Sequence, residues 1–386
     1  MKIDGKWVER NLGFNPLEVT PPKAAFAPGG SPKKPEDFQR EIIDFDSEGP
    51  EGREFLAFST ATGLSRFTDI PWPKNLAPQT TAKLAPKAGS PLPRADVLVV
   101  TWTVDEGHAL SRVLTPGKDS RNDYLPYTHN YAAISRKMQN GCPAKEAKRL
   151  GAYWTTNIGG KRVVVFKSDS HMSQDGPLLP NRDVWRQIIE EVGPKLVITT
   201  GTSGGIGTAV EVGDVIVSAI VRFDCKSKFK NFKADGQPIA SAHYSSAPAA
   251  TKYLARAKSL FAANAAQLPK DNTRAPKIVR VGPKALAHCV LTTDFFGFDT
   301  SSNYYGLKNM GDVSEMGDAV LGLVAKEMGD KAPPWLAIRN VSDPQIASGS
   351  LSIRDQAKLA ATIYKGYGRW SSVCSAITCW ASIAAL

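Results

Sequence analysis

The sequence predicts an α/β domain in which helices flank a central mixed sheet. Short runs rich in Val and Ile recur from Ala95 onward, segments with helical spacing of apolar residues lie between some of them, and glycines mark several of their ends. Strands that alternate with helices are typical of a layered domain with a largely parallel or mixed sheet. The sequence contains no visible internal repeat.

The length and composition allow one large domain with an extension, or two domains. The chain has 386 residues, of which 42% are hydrophobic, and its charges are mixed, as in globular proteins. The net charge of +11 raises the alternative of a nucleic-acid binder, because clustered Lys and Arg displace counterions from phosphates. The basic residues are scattered, however. They favour a diffusely basic surface that attracts small anions, and nucleic acid is not the expected partner.

Cysteine usage and the two ends of the sequence favour a cytoplasmic location. The five cysteines are far apart and form no CxxC pair, which suits a reducing compartment and indicates no disulfide framework and no metal site. The first residues lack the apolar core of a signal peptide. The final stretch, WSSVCSAITCWASIAAL, is apolar but short and rich in Ser and Thr, so we expect a packed terminal helix and no membrane span.

Residues 1–93 predict a Pro-rich N-terminal extension, and residues 94–386 the α/β domain. Proline removes backbone donors and fixes φ, so the extension is not expected to form a regular core of its own. It can still lie over the main domain, because four aromatic side chains offer apolar anchors: Phe55, Phe58, Phe67 and Trp72.

Within the domain, each element follows from a local pattern. Continuous β-branched runs predict buried strands. These are ADVLVVTW, GKRVVVFKSDS, KLVITTG, VGDVIVSAIV, KIVRVGP, AHCVLTT and PWLAIRNVSD. The segment NRDVWRQIIEEVG predicts a helix that stops at Gly193, and DVSEMGDAVLGLVAKEMG predicts a second helix.

A glycine-rich segment, GTSGGIGT, begins at Gly201 and raises the question of what it holds. It has no lysine, so it is not a nucleotide P-loop, and Val210 replaces the third glycine of a dinucleotide fingerprint. The segment fits either a tight turn between two strands or a loop that approaches a small, oxygen-rich ligand. In the second interpretation, Thr202, Ser203 and Gly204 bind the ligand.

This segment and four others resemble a known family. ITTGTSGGIGTAVEVGDVIVSAIVRFD resembles the signature of the superfamily of purine nucleoside phosphorylase and methylthioadenosine/S-adenosylhomocysteine nucleosidase. ADVLVVTWTVDEGHAL, VLTTDFFGF, VSEMGDAVLG and PWLAIRNVSDPQ resemble other stretches of that family, in its order. The resemblance covers about Ala95 to the C-terminus, with an insertion at about 115–160. It implies the three-layer phosphorylase/hydrolase-like domain with a central mixed sheet.

The resemblance implies cleavage of the bond between a ribose carbon and a purine nitrogen. It places Asp343 as the acid that protonates the leaving base, with Ser342 beside it to orient the carboxyl group. It places Glu106 as the group that activates water. The alternatives are a strand-ending turn at Asp343 and a solvated acid at Glu106. Thr202, Ser203 and Gly204 then lie on the ribose side.

The segments that would bind base and sugar match the family less well. Phe296 matches an aromatic residue that stacks on the base, although core packing is the ordinary role of a phenylalanine. Glu315 and Met316 align with the family's acid and methionine, but Gly317 occupies the position of its ribose-binding glutamate. Either Glu315 or Asp318 takes over that role, or the sugar is held differently.

The residues expected near the attacking group favour water over phosphate, and therefore hydrolysis. Thr199 and Thr200 stand where hexameric phosphorylases have an arginine, and an acid at Glu106 would repel phosphate. Arg112 or His108 could still supply a cation, and His171 could line the pocket. The prediction is therefore a hydrolytic purine nucleosidase for a nucleoside or nucleotide.

Two alternatives stay open: a phosphorylase with inorganic phosphate as co-substrate, and a catalytically weakened nucleoside-binding protein. The resemblance implies a homo-oligomer. Neither a cofactor, a metal nor a membrane partner is indicated.

Overall fold

The computed structural model describes residues 70–82, 85–261, 268–269, 271–295, 297–347 and 349–386. Within them the first strands and helices are β1 Gln79–Thr80, β2 Val97–Thr101, α1 Val104–Leu114, β3 Leu125–Tyr127, α2 Tyr131–Ile134, α3 Pro143–Glu146, β4 Gly151–Ile158, β5 Lys161–Ser168, α4 Asn181–Val192 and β6 Leu196–Gly205. The chain continues through β7 Val215–Ser218, β8 Ile220–Asp224, β9 Lys233–Ala234, β10 Gln237–Pro238, β11 His243–Ser245, α5 Leu254–Phe261, β12 Ile278–Val281, β13 Val290–Thr293, β14 Val313–Glu315, α6 Asp318–Met328, β15 Trp335–Asp343 and α7 Ile353–Ala384.

One large mixed sheet organises the domain. Its strand order is β1-β4-β5-β2-β6-β14-β13-β8-β11, and β15 pairs with both β6 and β7. β6 runs parallel to β2 and β15 but antiparallel to β14. Parallel neighbours end at the same edge of a sheet, so the carboxyl ends of β2, β6 and β15 meet in one place. This confirms the predicted mixed sheet.

Helices cover both faces of this sheet, so the domain has three layers. Along β2, Leu98 and Val100 belong to the apolar core that contains Trp185 of α4, whereas Val97 and Val99 belong to the core that contains Trp380 of α7. The alternation follows from the two-residue period of a strand. All five residues of β2 are buried, which explains why the run of valines has no polar face. The predicted α/β class with helices around a mixed sheet is confirmed.

The helices begin and end where local chemistry allows it. α4 ends at Gly193, whose φ of 56° is a left-handed conformation that glycine adopts without steric cost. At α1, the Thr103 side chain accepts a hydrogen bond from the Glu106 amide, while the Glu106 side chain accepts one from the Thr103 amide. This reciprocal pair is a capping box, and it holds the position of Glu106 at the carboxyl end of β2.

The structure corrects two predictions about element boundaries. The glycine-rich segment is not a loop from Gly201 onward, because β6 continues to Gly205 and keeps pairing with β15 and β14. The segment predicted as one helix from residue 312 begins as strand β14, and its helix starts only at Asp318. In both places, hydrogen bonds to neighbouring strands outweigh local helix or turn preference.

Part of the predicted N-terminal extension lies against the domain. Trp72 packs on Trp380 of α7 with ring centroids 4.7 Å apart, and the Trp380 indole donates a 2.6 Å hydrogen bond to the carbonyl of Leu76. β1 adds an edge strand beside β4. The other proposed anchors, Phe55, Phe58 and Phe67, lie outside the described residues. The division at residue 93 stays a prediction.

Segment 115–160 supplies β3, α2, α3 and β4, of which β4 pairs antiparallel with β5. The apolar C-terminal stretch forms the second half of α7 and is buried, as predicted. None of the described helices combines the length and the apolar character that a bilayer crossing demands.

Candidate active site

A cavity opens at the carboxyl ends of β2, β6 and β15. It holds about 770 Å³ of space outside protein atoms, its open mouth included. Its lining combines carboxyl groups, hydroxyl groups and aromatic rings. The residues are Trp102, Thr103, Glu106, His171, Thr202, Ser203, Gly204, Thr293, Gly297, Ser314, Glu315, Met316, Arg339, Ser342, Asp343 and Tyr364.

Glu106 contributes an ionised carboxylate to this cavity. Its Oε2 accepts hydrogen bonds from the Thr101 hydroxyl at 2.9 Å and from the amides of Trp102 and Thr103 at 3.1 and 2.9 Å. Its Oε1 accepts two more at 2.7 Å, from the amide and the hydroxyl of Thr202. Burial alone would raise the pKa of Glu106, but the charge of Arg339 and the amide hydrogen bonds outweigh it, and the net shift is downward.

Arg339 is the cation at the centre of the site. It lies on β15, is 3% exposed, and its Nε donates to Asp318 Oδ2 at 2.7 Å. Its other nitrogens lie 3.3 Å from Glu315 Oε2 and 3.9 Å from Glu106 Oε1. Burial opposes a charged guanidinium, but the three surrounding acids more than compensate and raise its pKa. Arg339 therefore joins Glu106 to two acids near the start of α6, Glu315 and Asp318.

Asp343 is the last residue of the same strand and has a different environment. Its carboxyl group is buried, and its Oδ1 accepts a 2.9 Å hydrogen bond from the Ser342 hydroxyl. Burial raises the pKa of Asp343 to about 6, and the Ser342 hydrogen bond only partly opposes this shift. The backbone of Gly204 lies directly opposite, since a Cβ at that position would be 3.1 Å from Asp343 Oδ2. Asp343 can therefore hold a proton near neutral pH.

Glu315 and Asp318 flank Gly317 at the start of α6. Glu315 Oε2 accepts a 2.6 Å hydrogen bond from the Gly317 amide, and Oε1 accepts one of 2.9 Å from the Asp318 amide. Burial raises the pKa of Glu315 to about 8, and the nearby charge of Asp318 adds to this shift. Asp318 is fully buried and its Oδ1 accepts a 2.6 Å hydrogen bond from Thr199. Glu315 lies on strand β14 and not on the helix that begins at Asp318.

Most of the residues predicted from the sequence line this one cavity. The structure brings together Glu106, Asp343, Thr202, Ser203, Gly204, Glu315, Met316 and Ser342. Asp318 does not line it. Its carboxylate is buried and accepts a hydrogen bond from Arg339. Phe296 lies outside the described residues.

Two predicted sources of a cation lie elsewhere. Arg112 lines a separate cavity, and His108 Nδ1 is 3.1 Å from Asp119. Neither residue lines the cavity that contains Glu106 and Asp343.

Seven described residues of the lining have no role predicted from the sequence, among them Arg339, Trp102 and Tyr364. Arg339 had a readable signal, since a lone arginine in an apolar strand four residues before Asp343 needs an acidic partner when buried. Trp102 directly follows β2, but nothing in the sequence distinguishes it from a core aromatic. Tyr364 comes from α7, and only the three-dimensional path of that helix brings it to the cavity.

Comparison with protein families agrees with this architecture. A family model described as the phosphorylase superfamily matches residues 125–363. The match covers more than half of the chain, and the chain belongs to this superfamily. The superfamily predicted from five short motifs is thereby confirmed. No curated protein sequence gives a significant match.

Several solved structures are similar to the chain at low identity. The 5′-methylthioadenosine/S-adenosylhomocysteine nucleosidase of Neisseria meningitidis, in complex with methylthio-immucillin-A, is 17% identical, with 75% of this chain and 100% of that chain covered and a TM-score of 0.42. The futalosine hydrolase of Helicobacter pylori is 12% identical, with coverages of 74% and 96% and a TM-score of 0.43. The S-adenosylhomocysteine nucleosidase of Streptococcus pyogenes, in complex with 5-methylthiotubericidin, is 14% identical, with coverages of 76% and 98% and a TM-score of 0.45.

Proposed function

We propose that the protein is a nucleosidase that hydrolyses the N-glycosidic bond of a purine nucleoside or nucleotide and releases the free base. The observation that carries this proposal is the pairing of Glu106 and Asp343 in one cavity. The first carboxyl group has a pKa below its ordinary value, and the second has a pKa raised to about 6. Two acids whose environments separate their pKa values can act as a base and an acid at one pH.

Asp343 supplies the proton in this proposal. A purine leaves slowly as an anion, so protonation of a ring nitrogen lowers the barrier to bond cleavage, and such general acid help contributes about 10²- to 10⁴-fold. The acid must be protonated before the base leaves, which burial of Asp343 favours. Ser342 orients the carboxyl group through its hydrogen bond to Oδ1. The backbone around Gly204 leaves open space beside Oδ2, because it carries no side chain.

Glu106 activates the water and stabilises the cationic sugar that forms as the base departs. Its two oxygens already accept five hydrogen bonds, whereas a carboxylate offers about four acceptor sites. The Thr202 hydroxyl is the donor that can rotate away, so a water takes its place at Oε1. Arg339 keeps Glu106 ionised, and the negative carboxylate favours the oxocarbenium-like transition state.

The charges that line the cavity favour water over phosphate. Among the described residues of the lining, Arg339 is the cation, and it is engaged by Asp318, Glu315 and Glu106. A phosphate positioned to attack the sugar would lie beside the ionised Glu106, where Arg339 is already engaged by three acids. No cofactor is needed for this chemistry, and inorganic phosphate would be a co-substrate only in the phosphorylase alternative.

The test is a chromatographic assay of free base release from a panel of purine nucleosides and nucleotides, with and without phosphate. We expect release without phosphate. Asp343→Asn should lower kcat/KM by about 10²- to 10⁴-fold, because asparagine cannot donate a proton to the leaving base. Asp330→Asn, in the short turn after α6, is the matched control and should leave the rate unchanged. Release that requires phosphate would select the phosphorylase, and an unchanged rate in Asp343→Asn would exclude this residue as the acid.

A further inference from the structure

Contacts between the residues that line the cavity show which chemical groups lie between Asp343 at one end and His171 at the other. Asp343 lies opposite Gly204, and Thr202, two residues earlier on β6, bonds to Glu106. The guanidinium carbon of Arg339, beside Glu106, is 5.0 Å from the ring centre of Trp102. The Trp102 ring then meets the His171 ring edge-on at 5.9 Å. The base end at Asp343 and the imidazole of His171 are thus separated by the groups proposed to act on the glycosidic bond.

His171 presents a hydrogen-bond donor at this far end. Its Nδ1 accepts from the Ser173 amide at 3.3 Å and lies 2.6 Å from the Ser173 hydroxyl. An amide can only donate, so Nδ1 carries a lone pair and the proton of the neutral ring is on Nε2. Nε2 makes no hydrogen bond to any residue that the structure describes. His171 lines the cavity, so this N–H is available to a ligand.

A second donor lies beside it. The Trp102 indole Nε1 is buried and has no hydrogen-bond partner among the described residues. The adjoining Cε2 atom would be 3.8 Å from a Cβ at Gly317, so the glycine leaves this edge of the ring uncovered by a side chain. Buried indole N–H groups ordinarily find an acceptor, because an unsatisfied donor costs about 1–3 kcal/mol. Two donors at one end of a cavity fit a ligand group that carries acceptor oxygens.

The charges that act on His171 include three cations, which favour a ligand group whose oxygens carry negative charge. Burial lowers the pKa of His171 to about 4, and Arg339, Lys167 and Lys228 oppose a further positive charge on the ring. Glu106 acts in the opposite direction and has the largest effect of any single charge on the ring. Lys228 is anchored close by, since its Nζ donates a 2.9 Å hydrogen bond to the Ser173 carbonyl. Three cationic side chains thus act on the ring, which is itself a neutral donor.

We propose that His171, with Trp102 beside it, binds an anionic oxygen group, a phosphate or a carboxylate, on the sugar carbon that is farthest from the base. This inference rests on the proposed function, because it places the base at Asp343. It names the substrate class as purine nucleosides with an acidic 5′ substituent. Lys228, which donates to the Ser173 carbonyl, adds positive charge near this subsite.

The experiment compares four compounds: adenosine 5′-monophosphate, adenosine 5′-carboxylate, adenosine and 5′-deoxyadenosine. His171→Phe keeps an aromatic ring against Trp102 but removes the donor. We expect kcat/KM for the two acidic compounds to fall by about 10- to 100-fold in this variant, the range of a hydrogen bond to a charged group, while 5′-deoxyadenosine is unaffected. His288→Phe removes an exposed histidine that pairs with Asp312 and should change nothing.

A second variant, Lys228→Gln, keeps the test independent of packing around His171. It alters an exposed side chain and should lower kcat/KM for the acidic compounds alone, by about two- to fivefold. A preference for phosphate over carboxylate, or the reverse, identifies which acid the subsite takes. Equal loss for all four compounds in His171→Phe, or a wild-type enzyme that does not prefer the acidic ones, would overturn the proposal.

Failure of the proposed function can be told apart from failure of this inference. If no compound releases base, calorimetric titration with adenosine 5′-monophosphate and 5′-deoxyadenosine still measures the subsite. Tighter binding of the monophosphate in the wild type, lost in His171→Phe, supports the subsite even though the enzymatic proposal has failed. Equal binding of the two compounds would reject the subsite.

Discussion

At the scale of single residues, the surroundings of Glu106 and Asp343 shift the pKa values of their carboxyl groups in opposite directions. Glu106 is buried among donors and beside a guanidinium, so its charged form is stabilised. Asp343 is equally enclosed but has the Ser342 hydroxyl as its side-chain partner, so burial dominates and its neutral form gains. Two carboxyl groups in one cavity thus acquire opposite protonation preferences.

This difference predicts the pH dependence of the reaction. Asp343 must be protonated to act as the acid, so kcat/KM should fall about tenfold per pH unit above its pKa of about 6. Glu106 must be ionised, and its pKa lies below the ordinary value of 4.5, so the loss on the acidic side should begin only below that pH. A kcat/KM profile of the purified enzyme measures both limbs. The falling limb above pH 6 should vanish from the residual activity of Asp343→Asn, and a wild-type profile that is level from pH 5 to 8 would contradict the assignment.

At the scale of elements, the join between β15 and α6 depends on one buried network. Arg339 of β15 bonds to Asp318 at the first turn of α6 and lies near Glu315 of β14. A buried ion pair is costly to break, because the partner that remains has lost both water and its counter-charge. The same network that keeps Glu106 ionised therefore also fastens three elements together.

Arg339→Met tests this network. The substitution leaves buried acids without their cation, so we expect the free energy of unfolding to fall by about 3–5 kcal/mol. Lys195→Met is the matched control, since Lys195 is largely exposed in its pair with Asp96 and should change stability by no more than about 1 kcal/mol. Urea unfolding followed by circular dichroism measures both. Equal losses of unfolding free energy in the two variants would show that the buried network contributes no more to stability than an exposed ion pair.

The elements that could be predicted from the sequence are those with a continuous buried apolar run. β2, β5 and β15 each contain such a run, so their apolar and β-branched residues identify them, and the left-handed Gly193 marks the end of α4. β14 could not be found, because three residues become a strand only through their neighbours β6 and β13. The continuation of β6 through its glycines has the same cause. Those glycines look like a turn until a partner strand is present.

The candidate site shows the same limit. Glu106, Asp343 and the Thr202–Gly204 segment were found because they stand in recognisable motifs. The place of Asp318 behind Arg339, and not in the cavity, depends on the direction of a buried side chain, which spacing along the sequence does not encode. Tyr364 reaches the cavity from the long terminal helix, a contact between segments far apart in sequence.

At the scale of the whole molecule, the N-terminal and C-terminal parts of the described chain are tied together. Trp380 is fully buried, packs on Trp72, and donates to the Leu76 carbonyl across 304 positions of sequence. α7, which carries Trp380, also contributes Tyr364 to the cavity. The segment before the first strand of the domain thus supports the helix that closes one side of the site.

Trp380→Ala should lower the free energy of unfolding by about 3–5 kcal/mol, because a large buried ring is replaced by a cavity and the Leu76 carbonyl loses its donor. Trp72→Ala removes the ring that packs on it and should lower stability by a smaller amount. Leu178→Ala is the control, since Leu178 is 64% exposed, and should stay within about 0.5 kcal/mol of the wild type. Chemical unfolding of the three variants provides the comparison, and a Trp380→Ala protein as stable as the control would refute the proposed tie.

Glu106 caps a helix in addition to its proposed catalytic role, so both roles would constrain this position in evolution. Its carboxylate starts a helix by capping Thr103, so a descendant that had lost all enzymatic ability would still be under pressure to keep it. Among the described residues, the Asp343 carboxyl group bonds to the Ser342 hydroxyl and caps no helix. Among homologues, substitution of Asp343 is therefore good evidence that enzymatic activity has been lost. Retention of Glu106 is weak evidence that activity has been kept.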